Sequence, residues 1–133
     1  MSSVVVYTIY METTRKKVGN DGEYFAQNFL KQEKWKILDT NVRLPWNDEI
    51  DIVARDIDGA LVFIEVKTVT GNYLKPEDQM TSAKIKKCMR AGEWYANHFP
   101  KLVNEKIGWR IDCVALRKIG DTYQINHYKQ IIS

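Results

Sequence analysis

The stretch Glu49-Ile50-Asp51-Ile52-Val53-Ala54-Arg55-Asp56-Ile57-Asp58-Gly59-Ala60-Leu61-Val62-Phe63-Ile64-Glu65-Val66-Lys67-Thr68 decides the fold. Two extended segments are joined by the turn pair Asp58-Gly59, which predicts an antiparallel hairpin. In the first segment, Glu49 to Asp56, strand alternation sets Glu49, Asp51, Val53 and Arg55 on one face and Ile50, Ile52 and Ala54 on the other. The second is apolar on both faces from Leu61 to Ile64, as expected of a central strand covered by helices on each side. Glu65 and Lys67 then interrupt the run. Being two apart they share a face, and the hairpin brings them beside Asp51.

Upstream, Val18, Gly22, Phe25, Ala26, Phe29 and Leu30 recur at three- and four-residue steps, which predicts a helix from about Arg15 to Glu33. Glu23 falls at the margin of its buried stripe, an unusual place for a plain surface charge. Trp35 to Leu44 reads as a strand stopped by the turn cluster Pro45-Trp46-Asn47-Asp48. Downstream, Thr70 to Asp78 holds Gly71, Asn72 and Pro76 and reads as a loop able to contact a ligand. Glu77 to Phe99 is a second long helix, with Ile85, Cys88, Met89, Gly92, Ala96 and Phe99 on its apolar stripe. Lys84, Lys86, Lys87 and Arg90 lie largely off that stripe, as a phosphate-tracking surface or an ordinary solvated face.

Arg110 to Arg117 is a short apolar strand with Arg110 and Asp112 on one face, read as a structural pair supporting the sheet. Thr122 to Ile132 supplies a last strand and tail. The order helix, three strands, helix, one or two strands predicts an α/β sandwich in which helices flank a mixed central sheet. Residues 1–14, with the apolar run Val4 to Tyr10, are an arm or an extra edge strand, and residues 15–133 form one domain.

Composition narrows the function. The 133 residues carry 44% hydrophobic and 28% charged side chains, ordinary values for a globular chain, which excludes disorder and fibrous repeats. Lys and Arg total 20 against 17 Asp and Glu, so the net charge of +3 makes the chain only mildly basic. A nucleic-acid ligand then requires segregated charge. Cys88 and Cys113 lack neighbours at metal-ligand spacing, which argues against zinc and fits a reducing cytoplasmic location. The apolar run near the start is too short to span a bilayer and lacks a basic leader, so no membrane association is expected. His98 and His127 are isolated and have no expected ligand role; His98 borders Pro100 at a helix end, where it caps carbonyls. Trp35, Trp46, Trp94 and Trp109 are scattered and read as core or edge residues, not as a base-stacking platform.

An acid followed on the neighbouring strand by acid-x-Lys is the layout that metal-assisted phosphodiester cleavage needs. Two carboxylates, here Asp51 and Glu65, supply hard oxygen ligands for Mg²⁺ and leave positions for water and a phosphate oxygen. The Lys67 ammonium, on the same face, can position the attacking water and neutralise charge that grows on phosphorus. A bland alternative remains: Glu65 and Lys67 as a cross-strand ion pair on a solvated face.

The pattern Gly22-Glu23-x-x-Ala26, Glu49-Ile50-Asp51-Ile52, Phe63-Ile64-Glu65-Val66-Lys67-Thr68, Lys84 and Arg110-x-Asp112 resembles the YraN-like endonuclease-related family, from about Arg15 to the C-terminus. That family is similar to archaeal Holliday junction resolvases, in the PD-(D/E)XK restriction-endonuclease-like superfamily with its αβββαβ core. The resemblance implies Glu23 as the helix acid, Asp51 and Glu65 as metal ligands and Lys67 as the catalytic lysine. It further implies Mg²⁺, with Mn²⁺ as a substitute, DNA including branched DNA as ligand, and a homodimer. The chain departs from the family pattern at Asp48 and Val69, where the family has glycine and, nearby, arginine. The expected function is a metal-dependent DNA endonuclease. The alternatives are a DNA-binding protein of the same fold with little or no cleavage, and a dimerising scaffold whose acidic pocket is only structural.

Overall fold

The computed structural model describes residues 3–9, 21–70 and 80–131. Its elements are β1 (Ser3–Ile9), α1 (Asp21–Gln32), β2 (Lys36–Arg43), β3 (Glu49–Arg55), β4 (Leu61–Thr70), α2 (Ser82–His98), a short 3-10 turn (Pro100–Leu102), β5 (Trp109–Ile119) and β6 (Thr122–Lys129). They build a six-stranded mixed sheet in the order β1-β6-β5-β4-β3-β2. β4 and β5 are parallel, with Leu61 opposite Trp109 and Glu65 opposite Cys113, and the other neighbours are antiparallel. A parallel pair needs a long crossover, and α2 lies in it. The run from α1 to β5 is the αβββαβ order of a restriction-endonuclease-like core.

Each helix takes one face of the sheet. On the α1 side, Phe25, Ala26, Phe29 and Leu30 pack on Ile52, Ala54, Val62, Ile64, Val114 and Leu116. On the α2 side, Ala91, Tyr95 and Ala96 pack on Val53, Leu61, Phe63, Ile111, Cys113 and Ala115. The two sets alternate along β4 and β5, so both strands are buried on both faces.

Both helices are drawn close to the sheet by glycine. A β-carbon on Gly22 of α1 would run into the Thr68 hydroxyl on β4. One on Gly92 of α2 would lie 2.8 Å from Trp109 and 2.9 Å from Phe63. These approaches bring the start of α1 to the end of β4 and hold α2 across β4. The Thr81 hydroxyl accepts from the Lys84 amide at 3.2 Å and caps α2, and the helix stops before Pro100, which cannot continue it.

Among the described residues α1 runs from Asp21 and α2 from Ser82, with Thr81 as its cap. The expected extensions over 15–20 and 77–79 lie outside the described residues, as does the expected ligand-contacting loop beyond Thr70. Among the described residues, no helix is long and apolar enough to cross a membrane.

Candidate metal and nucleic-acid site

The site arises where the sheet forks. β3 and β4 pair from Arg55↔Leu61 to Ile52↔Ile64, and the ladder stops there, one step before Asp51 and Glu65 would face each other. β3 stays paired with β2 past that point, with Thr40 opposite Ile52 and Val42 opposite Ile50. Between those pairs Asn41 adopts a left-handed backbone, φ 48°. Asparagine tolerates this conformation better than most residues. Along β3 the packing partner changes: Ile52 and Ala54 pack on the α1 side, while Ile50 joins Val53 and Phe63 on the α2 side. Simple alternation had put Ile50 with Ile52, and the packing corrects that assignment.

Asp51 sits at the fork. Its Oδ2 accepts from the Val66 amide at 2.8 Å, so the carboxylate replaces the backbone partner that β4 loses there. Burial, then the neighbouring Glu65 charge and more weakly that of Glu23, push its carboxyl up to about 7, against the pull of the Val66 amide and Lys84. Asp51 is thus half-protonated near neutrality without a cation beside it.

Glu65 is the cationic contact point. Its Oε2 lies 3.3 Å from Lys67 Nζ and 3.3 Å from Lys84 Nζ, with side chains only 12%, 19% and 30% exposed for Glu65, Lys67 and Lys84. The trio is too shielded for a solvated surface pair. The Cys88 thiol lies 3.8 Å from Glu65 Oε1, and burial with the Glu65 charge pushes that thiol up to about 12, so it is a poor nucleophile. Burial works against the charge of Lys84, but Glu65 outweighs it and raises that ammonium.

Glu23, on the first turn of α1, is held by Asn41, whose Nδ2 donates to Oε1 at 2.8 Å. Sequence reading gave Asn41 no role. Its signal lies in a backbone angle that residue patterns do not reveal. Glu23, Asp51, Glu65, Lys67 and Lys84 thus come together in one electrostatic group. Of these, Glu65 and Lys84 line a cleft together with Lys87, Asp48, Glu49 and Ile50. Lys86 and Arg90 are exposed and outside the cleft lining.

Two carboxylates that repel each other, one anchored by an amide, form a donor set suited to a hard divalent cation. Among the described residues, however, no three His, Cys, Asp or Glu side chains converge at metal-ligand spacing. Asp51 and Glu65 are the two that could hold an ion, with solvent and ligand oxygens completing its shell.

Arg110 and Asp112 lie near the start of β5, where Asp112 stands opposite Ile64, one step from Glu65 but on the α1 face of the sheet, whereas Glu65 faces α2. Asp112 is fully buried and accepts from Arg110 Nε at 2.9 Å, from the Gln130 amide at 2.8 Å and from His127 Nε2 at 2.9 Å. Arg110 also reaches Asp56 at 2.7 Å. This cluster is structural and apart from the fork, and it gives His127 the partner that its isolation in the sequence concealed.

The tryptophans are less scattered than their spacing suggests. Trp46, in the β2–β3 turn, and Trp94, on α2, meet with ring centroids 6.4 Å apart. Arg90 lies 4.2 Å over the Trp46 ring.

A family model described as "Uncharacterised protein family UPF0102" matches residues 22–116. A UPF0102 protein of Syntrophotalea carbinolica is 34% identical over 119 residues, which cover 89% of this chain and 93% of the relative. Another, from Flavobacterium johnsoniae, is 35% identical over 84% of this chain and 89% of its own length. A third, from Geobacter metallireducens, is 36% identical over 88% and 93% respectively. The matched span runs from the glycine contact at Gly22 through the fork and α2 to Leu116.

Proposed function

The chain belongs to the UPF0102 family, and from the chemistry of its own fork we propose that it is a divalent-metal-dependent endonuclease acting on DNA. One observation carries this reading. Asp51, just past the end of a strand ladder and electrostatically coupled to Glu65, has its carboxyl pushed up to about 7 by burial and neighbouring acids. Such a pair of carboxylates, with an ammonium two residues after Glu65, suits phosphodiester hydrolysis. The resemblance to YraN-like endonuclease-related proteins supports it independently.

Asp51 and Glu65 would hold Mg²⁺, or Mn²⁺ in its place. When bound, the ion supplies Lewis acidity toward a phosphate oxygen and lowers the pKa of water. The chain's own residues do the rest. The Val66 amide fixes Asp51 through Oδ2, and Oδ1 would be its donor to the cation. Lys67, which pairs with Glu65, would turn its ammonium to donate hydrogen bonds to a non-bridging phosphate oxygen and the attacking water, where it offsets charge growing on phosphorus. Lys84 keeps Glu65 oriented as Lys67 leaves. Glu23, held by Asn41, accepts a hydrogen bond from that water.

Branched DNA fits an enzyme of this kind as a two-fold dimer, because paired sites meet two strands. Both cysteines are free thiols, which suits the cytoplasm.

The test is incubation of purified protein with linear, flap and four-way-junction DNA in magnesium, manganese or EDTA. Cleavage that needs the metal and fails in Lys67→Ala is the expected result. A second reading, binding with little cleavage, is favoured by the absence of a third convergent ligand among the described residues and by the two lysines already on Glu65. DNA bound tightly but left intact in both metals would establish that reading instead.

A further inference from the structure

On α2, Lys84, Lys87, Arg90, Trp94 and His98 follow one another at steps of three, three, four and four, and so share one flank of the helix. Lys86 falls outside that flank. At the near end Lys84 holds Glu65 and Lys87 lines the cleft. Farther along, the Arg90 guanidinium lies 4.2 Å over Trp46, Trp46 meets Trp94 edge-on at 89°, and His98 stacks on Trp94 at 4.1 Å. The His98 ring is fixed by an Nδ1 donor bond of 2.9 Å to the Trp94 carbonyl. Both tryptophans rest on the α2-side core and are only partly covered. At 1.5 Å per residue the stripe extends roughly 20 Å from the fork.

Cations followed by partly exposed aromatic rings are what a nucleic-acid strand with exposed bases requires: phosphates pair with the cations and base faces stack on the rings. A duplex keeps its base faces stacked inward and would use only the cations. A second copy of the chain would bring the same cationic flank against itself in a two-fold contact, which like charge disfavours. Resting on the DNA reading above, we propose that this flank binds an unpaired, single-stranded segment of DNA leading into the fork, with bases stacked at Trp46–Arg90 and Trp94–His98 and phosphates on Lys87. The substrate is then DNA carrying a single-stranded arm, such as a flap, fork or gapped end.

The test is fluorescence anisotropy in EDTA with three labelled probes: an oligothymidylate, an abasic strand of the same length and a blunt duplex. The wild-type protein is expected to bind the oligothymidylate about ten-fold more tightly than the abasic strand. Trp46→Ala should lose about that factor for the oligothymidylate alone, and Trp46→Phe should restore most of it. Equal binding of the base-bearing and abasic strands by wild type, or an equal loss on all three probes in Trp46→Ala, overturns the proposal. If Trp46→Ala does not fold, the wild-type comparison of the two single strands decides alone. Metal-dependent cleavage is measured separately. Base-dependent binding without cleavage removes the nuclease reading and leaves this one standing, and cleavage with base-blind binding does the reverse.

Discussion

Two ionic clusters on the central strands, one around Arg110 on the α1 face and one at the fork, treat buried charge in opposite ways. In the Arg110 cluster, burial alone would raise Asp112, but His127 and Arg110 outweigh it and hold its carboxyl below the usual range. Asp56 is likewise held low by Arg110 and by the Ala60 and Asp58 amides, against its burial. Every carboxylate there has a cationic partner. At the fork both lysines go to Glu65, while Asp51 has one amide, two acidic neighbours and only the weaker pull of Lys84, and its carboxyl rises to about 7. The same sheet therefore carries one ionic cluster that is complete and one that is not. The complete one holds the fold together, and the incomplete one is the place where a ligand has something to add.

The largest expected effect lies in the complete cluster. Asp112→Ala leaves Arg110 and His127 facing a buried gap, and breaking such a cluster costs about 3–5 kcal/mol. Urea unfolding at neutral pH measures it. The contribution has a defined pH window. Because the Asp112 carboxyl is lowered from 3.8, its stabilisation is present above that value and disappears as pH falls through the lowered one. The gap between wild type and variant should therefore close in acid. A loss under about 1 kcal/mol at pH 7 would mean that the cluster is surface-like after all.

At the fork the expected cost falls on chemistry instead. Lys67→Ala should lower metal-dependent cleavage by about 10²–10³, the size of one lost electrostatic contact to a developing oxyanion. DNA affinity should change little. Circular dichroism on the variant keeps the result interpretable, since Lys67 also pairs with Glu65. Undiminished cleavage by a folded variant would end the catalytic assignment.

The sharpest contrast is one of sign. Asp51→Asn removes a charge that metal-free protein holds against its preference, so it should stabilise the fold while removing cleavage. Below 3.8 both folded and unfolded chains hold the Asp51 proton, and that stability is lost as pH rises toward about 7, where the folded protein finally releases it. The gain in Asp51→Asn should therefore grow between about pH 4 and 7 and level off above, reaching about 1–2 kcal/mol. Thermal melts in EDTA across that range read it directly. Added magnesium should stabilise wild type more at pH 8 than at pH 5 and leave Asp51→Asn nearly unmoved. A variant less stable than wild type at pH 8 would contradict the unrelieved-charge account.

Much of this contrast was legible in the residues. The double-sided apolar run Leu61 to Ile64 announced a covered central strand, and period-two spacing put Glu65 with Lys67 beside Asp51. The helices followed from their stripes. What patterns could not supply were partners chosen by tertiary approach. His127 finds Asp112, Asp56 finds Arg110, and Trp46 finds Trp94 only after the strands and α2 are placed. The kink at Asn41 was hidden for a different reason. Its φ of 48° sits inside β2, and an asparagine inside a strand carries no mark of that.

The smallest expected effect separates cations that serve the fork from cations that only face water. Both are exposed, but Lys87 lines the cleft and lies on the Arg90–Trp94 flank, whereas Lys86, its neighbour in sequence, lies elsewhere around the helix. Each phosphate contact contributes about 0.7 to the slope of log affinity against log salt for a single strand. Lys87→Gln should therefore reduce that slope by roughly this amount and weaken binding several-fold at low salt. Lys86→Gln should leave the slope within error, because a charge off the track only adds to the diffuse field. Titrations of the oligothymidylate at several salt concentrations distinguish the two variants. Equal changes in slope would show a helix that attracts DNA by bulk charge, and the fork would lose its claim to a directed path for the strand.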